Sequence, residues 1–269
     1  MMRLKNKVAI ITGGGKGIGR TISIVFASEG AAVVMAARSL SHLEQTAEEI
    51  RSRNGKALAI QTDVANEEQV QQMVAKTLRE LGQIDILVNN SGIIGPVASV
   101  VDMKLEAWNE TLAINLTGTM LCSREVLRHM IPKRRGTIIN IGSEGGRGGD
   151  GRAGRPMRSA YGCSKMGIIG LTETMAVEVG EYGIRVNAIS PAAVSGERGD
   201  IILKRKAEAM GVSQDELESK IVANYSLGRV VEESEVASVA VFLASSEASA
   251  ITGQVIAINC GHHIIFSPI

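Results

Sequence analysis

Cysteine is scarce in this sequence of 269 residues, which holds three: Cys122, Cys163 and Cys260. Their number is odd and no two of them have C-x-x-C spacing. The sequence therefore predicts neither a disulfide framework nor a zinc site and favours a reducing compartment. The adjacent His262 and His263 have no third candidate ligand nearby, so no metal site is predicted.

Aromatic residues and excess charge are also scarce. One tryptophan, three tyrosines and three phenylalanines offer little surface for stacking bases, which disfavours a binder of single-stranded nucleic acid. Lys and Arg number 29 against 28 Asp and Glu, which gives a formal net charge of +1. This balance disfavours a basic protein that binds nucleic acid or membrane surfaces.

Long apolar runs are absent as well. No run in the sequence approaches the ~18–20 residues that a membrane-spanning helix needs. Residues 1–7 lead directly into an apolar segment, without the organisation of a signal peptide. We therefore expect a cytoplasmic protein with no membrane partner and no nucleic-acid partner.

Glycine, by contrast, is abundant at 30 residues, and short β-branched runs alternate with amphipathic stretches. The β-branched runs predict strands at Val8–Thr12, Ala32–Ala36, Lys56–Gln61, Ile84–Asn89, Gly136–Ile141, Arg185–Ile189 and Gln254–Asn259. The amphipathic stretches predict helices at Ile18–Ser28, Leu40–Arg53, Glu67–Leu81, Leu105–Ile131, Ser159–Val179 and Glu233–Ala244. Strands that are apolar throughout and joined by helices indicate right-handed crossovers in a sheet covered on both faces. The predicted fold is α/β: one Rossmann-type, doubly wound sheet of seven parallel strands with helices on both faces, in a single domain over residues 1–269.

Two segments interrupt this alternation and both follow the carboxyl ends of predicted strands. Residues 143–158 hold six glycines and four arginines, and residues 195–226 are mostly charged with a helical pattern. Because ligands of open α/β sheets bind outside those strand ends, we expect variable substrate loops there. The arginines could bind an anionic substrate, or they could be solvated or lie at a subunit contact: Arg147, Arg152, Arg155 and Arg158.

A glycine-rich turn, Thr12–Gly19, lies directly between the first predicted strand and the first predicted helix. Its spacing is G-x-x-x-G-x-G, which lets the backbone approach a pyrophosphate at a helix N-terminus. The alternative is a merely tight turn. The cofactor-binding residues predicted here are Gly13, Lys16, Gly17, Ile18 and Gly19.

The end of the second strand bears on the choice between NAD(H) and NADP(H). An acid there would bind a ribose 2′-hydroxyl, whereas an arginine can pair with a 2′-phosphate. The chain has Ala37 at the expected acid position, followed by Arg38, and Lys16 adds a second positive charge. NADP(H) is therefore predicted in preference to NAD(H), although Arg38 could also be a solvated residue that begins a helix.

Tyr161 and Lys165 are four residues apart, on one face of a predicted helix. A free phenol has a pKa of roughly 10, too high for a base at neutral pH, and a neighbouring ammonium favours the phenolate. Such a tyrosine can exchange a proton with an alcohol or a forming alkoxide. Alone, this spacing is weak evidence, because helices carry such pairs by chance.

In combination, these motifs resemble the short-chain dehydrogenase/reductase family, in a pattern close to bacterial 3-oxoacyl-[acyl-carrier-protein] reductases. The positions in register are the glycine turn, Asp63-Val64, the stretch from Asn89 to Gly92, and then Asn115, Ser143, Tyr161, Lys165 and Pro191. They span nearly the whole chain.

The resemblance implies a role for each of these residues. Tyr161 would be the acid/base, Ser143 would hydrogen-bond the substrate oxygen, Lys165 would hold the nicotinamide ribose, and Asn115 would anchor a water that relays protons to Lys165. Asp63 would meet the adenine amine with Val64 beside it, Asn90 and Gly92 would line the cofactor, and Pro191 with Val194 would flank the nicotinamide. It also implies a homotetramer, in which the apolar tail Ile264–Ile269 would pack across a neighbour.

The chain departs from the family pattern at two places that matter. The interval of eighteen residues between Ser143 and Tyr161 is longer than usual, so the loop between them is enlarged. The threonine that usually bonds the nicotinamide carboxamide is replaced by Gly196, and the adjacent Ser195 is a candidate substitute.

Three functions are weighed. The first is an NADP(H)-dependent oxidoreductase that acts on a small hydroxy or oxo compound through Ser143, Tyr161, Lys165 and Asn115. The second is a 3-oxoacyl-[acyl-carrier-protein] reductase, for which Arg124, Arg128 and residues 133–135 could contact an acidic carrier protein. Against it, Val177 stands where that reductase usually has a second docking arginine. The third is a non-catalytic NADP(H)-binding regulator.

Overall fold

The strands form one sheet in the computed structural model, which describes residues 2–144 and 156–262. They are β1 (Val8–Thr12), β2 (Ala32–Ala37), β3 (Lys56–Gln61), β4 (Ile86–Asn89), β5 (Gly136–Ile141), β6 (Ile184–Pro191) and β7 (Val255–Ile258). Their order is β3-β2-β1-β4-β5-β6-β7, and every adjacent pair is parallel. This confirms the seven-stranded Rossmann-type sheet and places its change of winding direction between β1 and β4.

Helices connect these strands. They are α1 (Gly17–Ser28), α2 (Leu40–Ser52), α3 (Glu67–Leu81), α4 (Leu105–Leu112), α5 (Gly118–Lys133), α6 (Ser159–Val179), α7 (Glu197–Met210), α8 (Gln214–Val222) and α9 (Glu233–Ala244). Helices α7 and α8 lie in the charged segment that follows β6, and α9 connects this segment to β7. The prediction of a helical pattern within residues 195–226 is thereby confirmed.

The predicted helical stretch Leu105–Ile131 is helical throughout, but it is not one regular α-helix. A π-helical turn, Ala113–Thr117, separates α4 from α5. Such turns insert an extra residue into the helical ladder and redirect the side chains that follow. The polar Asn115 lies inside this turn, completely buried, and hydrogen-bonds a neighbouring backbone segment, a tertiary contact that local periodicity does not encode.

Each face of the sheet has its own apolar core. On one face, alternate strand residues pack against α1, α2 and α9, with Phe26 and Leu43 fully buried. On the other face, the remaining strand residues pack against α3, α5 and α6, with Met73 and Met130 fully buried. Burial on both faces explains why the strands are apolar throughout rather than alternating.

Polar residues at helix ends explain where several helices begin and end. The Asn66 side chain accepts a hydrogen bond from the backbone N–H of Gln69 at the start of α3, and Gly82, with φ of 75°, ends that helix. Ser213 accepts from the N–H of Glu216 at the start of α8. Within the described residues, no helix has both the length and the apolar composition needed to cross a bilayer.

Candidate active site

The ends of β1 and β4 are joined by a cluster of hydrogen bonds. The Thr12 hydroxyl accepts from the backbone N–H groups of Asn90 and Ser91, each at 3.0 Å. The Asn90 amide in turn donates to the carbonyls of Thr12, at 3.0 Å, and Gly13, at 3.3 Å. Asn90 therefore holds the glycine turn against the end of β4.

The glycine turn has a shape that side chains would prevent. Gly13 and Gly17 have φ values of +67° and +55°, which favour glycine. A Cβ on Gly19 would overlap the carbonyl oxygen of Gly13, and one on Gly14 would lie 2.9 Å from Met35 Cβ. The turn is therefore closed tightly onto the sheet.

Helix α1 begins at this turn with the sequence Gly17, Ile18, Gly19 and has no acid in its first turn. The first N–H groups of a helix have no partner within the helix, and together with the helix dipole they attract anions. The exposed Lys16 directly precedes them. This arrangement fits the diphosphate of a dinucleotide.

A cleft of about 480 Å³ lies beside the ends of β2 and β3. It is lined by two residues of the predicted cofactor set and three glutamines: Arg38, Asp63, Gln61, Gln69 and Gln72. Arg38 is exposed, and its carbonyl accepts a hydrogen bond from the Gln61 amide at 2.9 Å. The neighbouring Val64 is buried against α5, where a Cβ on Gly118 would lie 2.7 Å from Val64 Cγ2.

Asn115 lies at the centre of a chain of hydrogen bonds that leads to Tyr161. Its side chain accepts from the N–H of Ile93 at 2.8 Å and donates to the Ile93 carbonyl at 2.9 Å. It also donates to the Ser164 hydroxyl at 3.0 Å, and Ser164 donates to the backbone carbonyl of Tyr161 at 2.8 Å. The π-helical turn and the start of α6 are thereby held in register.

Tyr161 and Lys165 lie on the first turns of α6. Lys165 is buried, and its ammonium donates to the carbonyl of Ile141 at 2.7 Å. The Lys165 nitrogen and the Arg158 guanidinium carbon each lie 5.9 Å from the centroid of the Tyr161 ring. Two cations therefore flank this phenol, within the range of cation–π attraction.

The other predicted site residues lie on the same edge of the sheet. A Cβ built on Gly92 would be 3.2 Å from Asn115 Oδ1 and 3.7 Å from Lys165 Nζ, so these three residues meet. Ser143 follows β5 by two residues, after Gly142, whose N–H donates to the Ile189 carbonyl at 2.7 Å. Pro191 is the last residue of β6 rather than a residue beyond it, and Val194 pairs with Val231.

Sequence reasoning missed two residues that support the site. Thr12 was seen only as the start of the glycine turn, although its hydroxyl binds β4 as described above. Ser164, which lies between Tyr161 and Lys165, has no role predicted from sequence. Two signals in the sequence could have indicated them. Thr12 is a polar residue at the end of an otherwise apolar strand, and Ser164 places a hydroxyl one helical turn after Tyr161.

Some predicted features lie outside the described residues: Arg147, Arg152 and Arg155 of the arginine loop, His263, and the tail at residues 264–269. His262 is described and stacks on Tyr225 with ring centroids 4.5 Å apart. Among residues 2–144 and 156–262, no three His, Cys, Asp or Glu side chains are grouped to hold a metal ion.

Comparison with known proteins agrees with this geometry. The profile of a family described as short chain dehydrogenase matches residues 7–204. The 3-oxoacyl-[acyl-carrier-protein] reductase FabG of Thermotoga maritima is 35% identical over 260 residues, 97% of this chain and 99% of the relative.

Two solved structures superpose closely. NAD⁺-bound xylitol dehydrogenase has a TM-score of 0.90 and 31% identity and covers 96% of this chain and 100% of its own. Actinorhodin polyketide ketoreductase with NADPH has a TM-score of 0.90 and 30% identity, covering 96% of this chain and 97% of its own. One relative is thus bound to each nicotinamide cofactor. The chain belongs to the short-chain dehydrogenase family of oxidoreductases, close to the 3-oxoacyl-[acyl-carrier-protein] reductases.

Proposed function

We propose that this protein is an NADP(H)-dependent oxidoreductase that interconverts a small ketone and the corresponding secondary alcohol. The observation that carries the proposal is the arrangement around Tyr161: two cations flank its ring, and hydrogen bonds link its helix to Asn115. A phenol held in place beside fixed cations can exchange a proton with the substrate oxygen.

The nicotinamide cofactor supplies the hydride when it is bound. The glycine turn and the start of α1 would hold its diphosphate, and the cleft beside Arg38 and Asp63 would hold the adenosine end. Gly92, Pro191 and Val194 would line the cofactor between its diphosphate and Tyr161. Small or apolar residues there leave room for the nicotinamide and exclude water from the reacting centre.

Tyr161 would give its hydroxyl proton to the substrate oxygen during reduction and take it back during oxidation. Ser143, which follows β5, would donate a hydrogen bond to that same oxygen and so orient the carbonyl. Lys165 supplies a fixed positive charge that offsets negative charge on the phenolic oxygen. Asn115 would position water on the way from Lys165 to solvent, which would restore the proton on Tyr161.

The substrate in this proposal is a small hydroxy or oxo compound. Arg158 beside the Tyr161 ring would favour an anionic group on it. The cytoplasmic location, the homotetramer and the single catalytic domain over residues 1–269, with substrate loops at 143–158 and 195–226, stay predictions that accompany this function.

The test is a panel of ketones and alcohols, each offered with both cofactors, with turnover followed at the nicotinamide absorbance band. We expect turnover by the wild type and a loss of at least roughly 100-fold in the Tyr161→Phe variant, because acid/base groups contribute factors of this size. Both proteins should bind NADPH equally. Turnover that survives in the Tyr161→Phe variant would overturn the role assigned to Tyr161.

A second candidate is 3-oxoacyl-[acyl-carrier-protein] reductase, favoured by the similarity to the Thermotoga maritima enzyme. The surface that would contact a carrier protein offers fewer free positive charges than such docking needs. Arg124 is paired with Glu67 and Arg128 with Glu125, and Val177 is 85% exposed where a docking arginine is expected.

The two candidates are separated by one pair of substrates: a 3-oxoacyl thioester on acyl carrier protein, and the same acyl group on a small thiol. We expect the carrier protein to raise kcat/KM by less than about threefold. A preference of about tenfold or more, worth about 1.4 kcal/mol, would favour the reductase. That preference should then fall in the Arg128→Ala variant.

A further inference from the structure

The chain has glycine at position 196, where the family pattern has a threonine. The local structure leaves no room for a side chain there. Gly196 has φ of +115°, a region that residues with a Cβ rarely adopt. A Cβ built on Gly196 would lie 2.7 Å from Oε1 of Glu233. The Glu233 carboxylate therefore occupies the space that a side chain at position 196 would need.

Backbone hydrogen bonds hold Glu233 at this place. The N–H of Val231 donates to the carbonyl of Ala193 at 3.0 Å, and the N–H of Ser195 donates to the carbonyl of Val231 at 2.8 Å. This short parallel bridge fixes the approach to α9 against the segment that follows β6. Glu233, the first residue of α9, follows two residues later.

The two carboxylate oxygens of Glu233 face different neighbours. Oε2 accepts a hydrogen bond from the Thr21 hydroxyl of α1 at 2.6 Å. Oε1 lies 3.6 Å from where a Cβ on Gly17 would be, and close to Gly196. Thr21 thus orients the group, and Oε1 lies between the beginning of α1 and the segment after β6.

We propose that Glu233 is a cofactor-positioning residue that takes over the role of the missing threonine. Its Oε1 accepts a hydrogen bond from the NH₂ of the nicotinamide carboxamide. A carboxylate only accepts hydrogen bonds and a primary amide offers two donors, so the groups are complementary, and the negative charge strengthens the bond. In this proposal Glu233, rather than the exposed Ser195, takes the place of the carboxamide-binding threonine. This inference rests on the proposed function, because it assumes that the nicotinamide lies beside Val194.

The test measures equilibrium binding by calorimetry, without turnover, for three ligands. These are NADP⁺, its 3-acetylpyridine analogue, which has a methyl group in place of the NH₂, and 2′-phospho-ADP-ribose, which has no nicotinamide. We expect Glu233→Ala to weaken NADP⁺ binding roughly tenfold or more, as for loss of a hydrogen bond to a charged group. Its affinities for the other two ligands should stay within about twofold of the wild type.

Two further variants separate the role of the carboxylate from folding. Glu233→Gln keeps a carbonyl acceptor in the same place, so it should weaken NADP⁺ binding less than Glu233→Ala. Glu106→Ala removes an acid from the first turn of α4, outside the proposed site, and should leave all three affinities unchanged.

Three outcomes would overturn the assignment of Glu233. In the first, Glu233→Ala binds NADP⁺ as the wild type does. In the second, it weakens all three ligands alike, which indicates a structural role. In the third, it tightens all three, which indicates that the carboxylate repels the diphosphate. A wild-type protein that binds none of the ligands would overturn the proposed function itself, and this inference with it.

Discussion

At the scale of single residues, the proposed preference for NADP(H) rests on Arg38. This residue follows β2, is exposed, and lines the cleft that also holds Asp63. A guanidinium at this position can bind a 2′-phosphate through two hydrogen bonds, whereas a 2′-hydroxyl gives it no comparable partner. The positive charge of Arg38 should therefore strengthen the binding of NADPH and have almost no effect on the binding of NADH.

We expect Arg38→Ala to weaken NADPH binding about 10- to 100-fold, the loss typical of a charge-assisted hydrogen bond, with NADH affinity unchanged. Fluorescence titration with both cofactors measures this. Arg53→Ala is the matched control, because Arg53 is an exposed arginine at the end of α2 that is paired with Glu49. If the wild type binds NADPH no more tightly than NADH, the assignment of Arg38 is wrong.

Residues that act through short motifs could be located from sequence, and those that act through tertiary contacts could not. The glycine turn and the tyrosine–lysine spacing are local, so their positions were predictable. Glu233 lies 37 residues after Gly196 in the sequence, and nothing local connects the two. The departure at Gly196 was visible, but the group that fills its place depends on how α9 packs against α1.

At the scale of secondary-structure elements, α6 carries the proposed catalytic face and also three glycines that weaken it. A Cβ on Gly170 would meet nothing within 4 Å, whereas one on Gly167 would lie 2.7 Å from Leu116 Cδ2. Glycine inside a helix costs about 0.5–1 kcal/mol relative to alanine through its backbone entropy. The two positions should therefore respond oppositely to the same change.

We expect Gly170→Ala to raise the free energy of unfolding by about 0.5–1 kcal/mol. Gly167→Ala should give no gain, because the helix-propensity benefit is offset by crowding against Leu116. Urea unfolding of both variants measures the difference. Destabilisation by Gly170→Ala would show that its surroundings are not open.

The first turn of α9 makes the stability of the fold depend on pH. Glu232 and Glu235 form a reciprocal capping box, and Arg229 hydrogen-bonds Glu235 at 2.7 Å. The Arg229 hydrogen bond, helped by the N–H of Glu232, lowers the pKa of Glu235 from 4.5 to about 2. Because the folded-state pKa is depressed, this carboxylate stabilises the fold above about pH 4.5, and that contribution is lost as the pH falls towards 2.

We expect Glu235→Gln to lower Tm by about 1–2 °C at pH 7, because glutamine keeps the capping acceptor but loses the ion pair with Arg229. The difference from the wild type should shrink as the pH falls from 4.5 to 2. It should also shrink in 1 M salt, because the ion pair is exposed and screened. Thermal melts at a series of pH values test this, and a difference that grows on acidification would contradict it.

The element boundaries show which part of the fold local sequence could reveal. The apolar, β-branched runs predicted all seven strands to within a few residues. Strands that are buried on both faces of a sheet are apolar at nearly every position, which makes them easy to recognise in the sequence. The π-helical turn between α4 and α5 had no such signature in the sequence. It follows from the contact between Asn115 and Ile93, which forms only when the strand ends have come together.

At the scale of the whole molecule, the described surface carries exposed apolar side chains. Val101 is 95% and Val177 85% exposed, and Val97, Val100 and Leu105 are also exposed. Four of these five residues fall within positions 97–105, and a concentration of exposed apolar side chains is typical of contacts between proteins. Together with the family resemblance, it supports the predicted homotetramer.

We expect deletion of residues 264–269, which lie outside the described residues, to lower the mass in solution from that of a tetramer. The reason is the apolar composition of this tail, which predicts packing across a neighbouring subunit. Light scattering after size exclusion measures the mass, and circular dichroism checks that the shortened chain is folded. A shortened chain that remains tetrameric would remove the tail from the interface.

The adjacency of β1 and β4 has a consequence for the order in which the protein is made. During synthesis, β1, β2 and β3 emerge first and can pair with one another, whereas β4 must return to the open edge of β1 across the 76 residues from Thr12 to Val88. Such long-range pairings form slowly, because loop-closure entropy opposes them. The proposed diphosphate site lies at this joint. A newly made chain therefore contains the glycine turn before it has a cofactor site, and any ligand that spans the joint stabilises the assembled state by mass action.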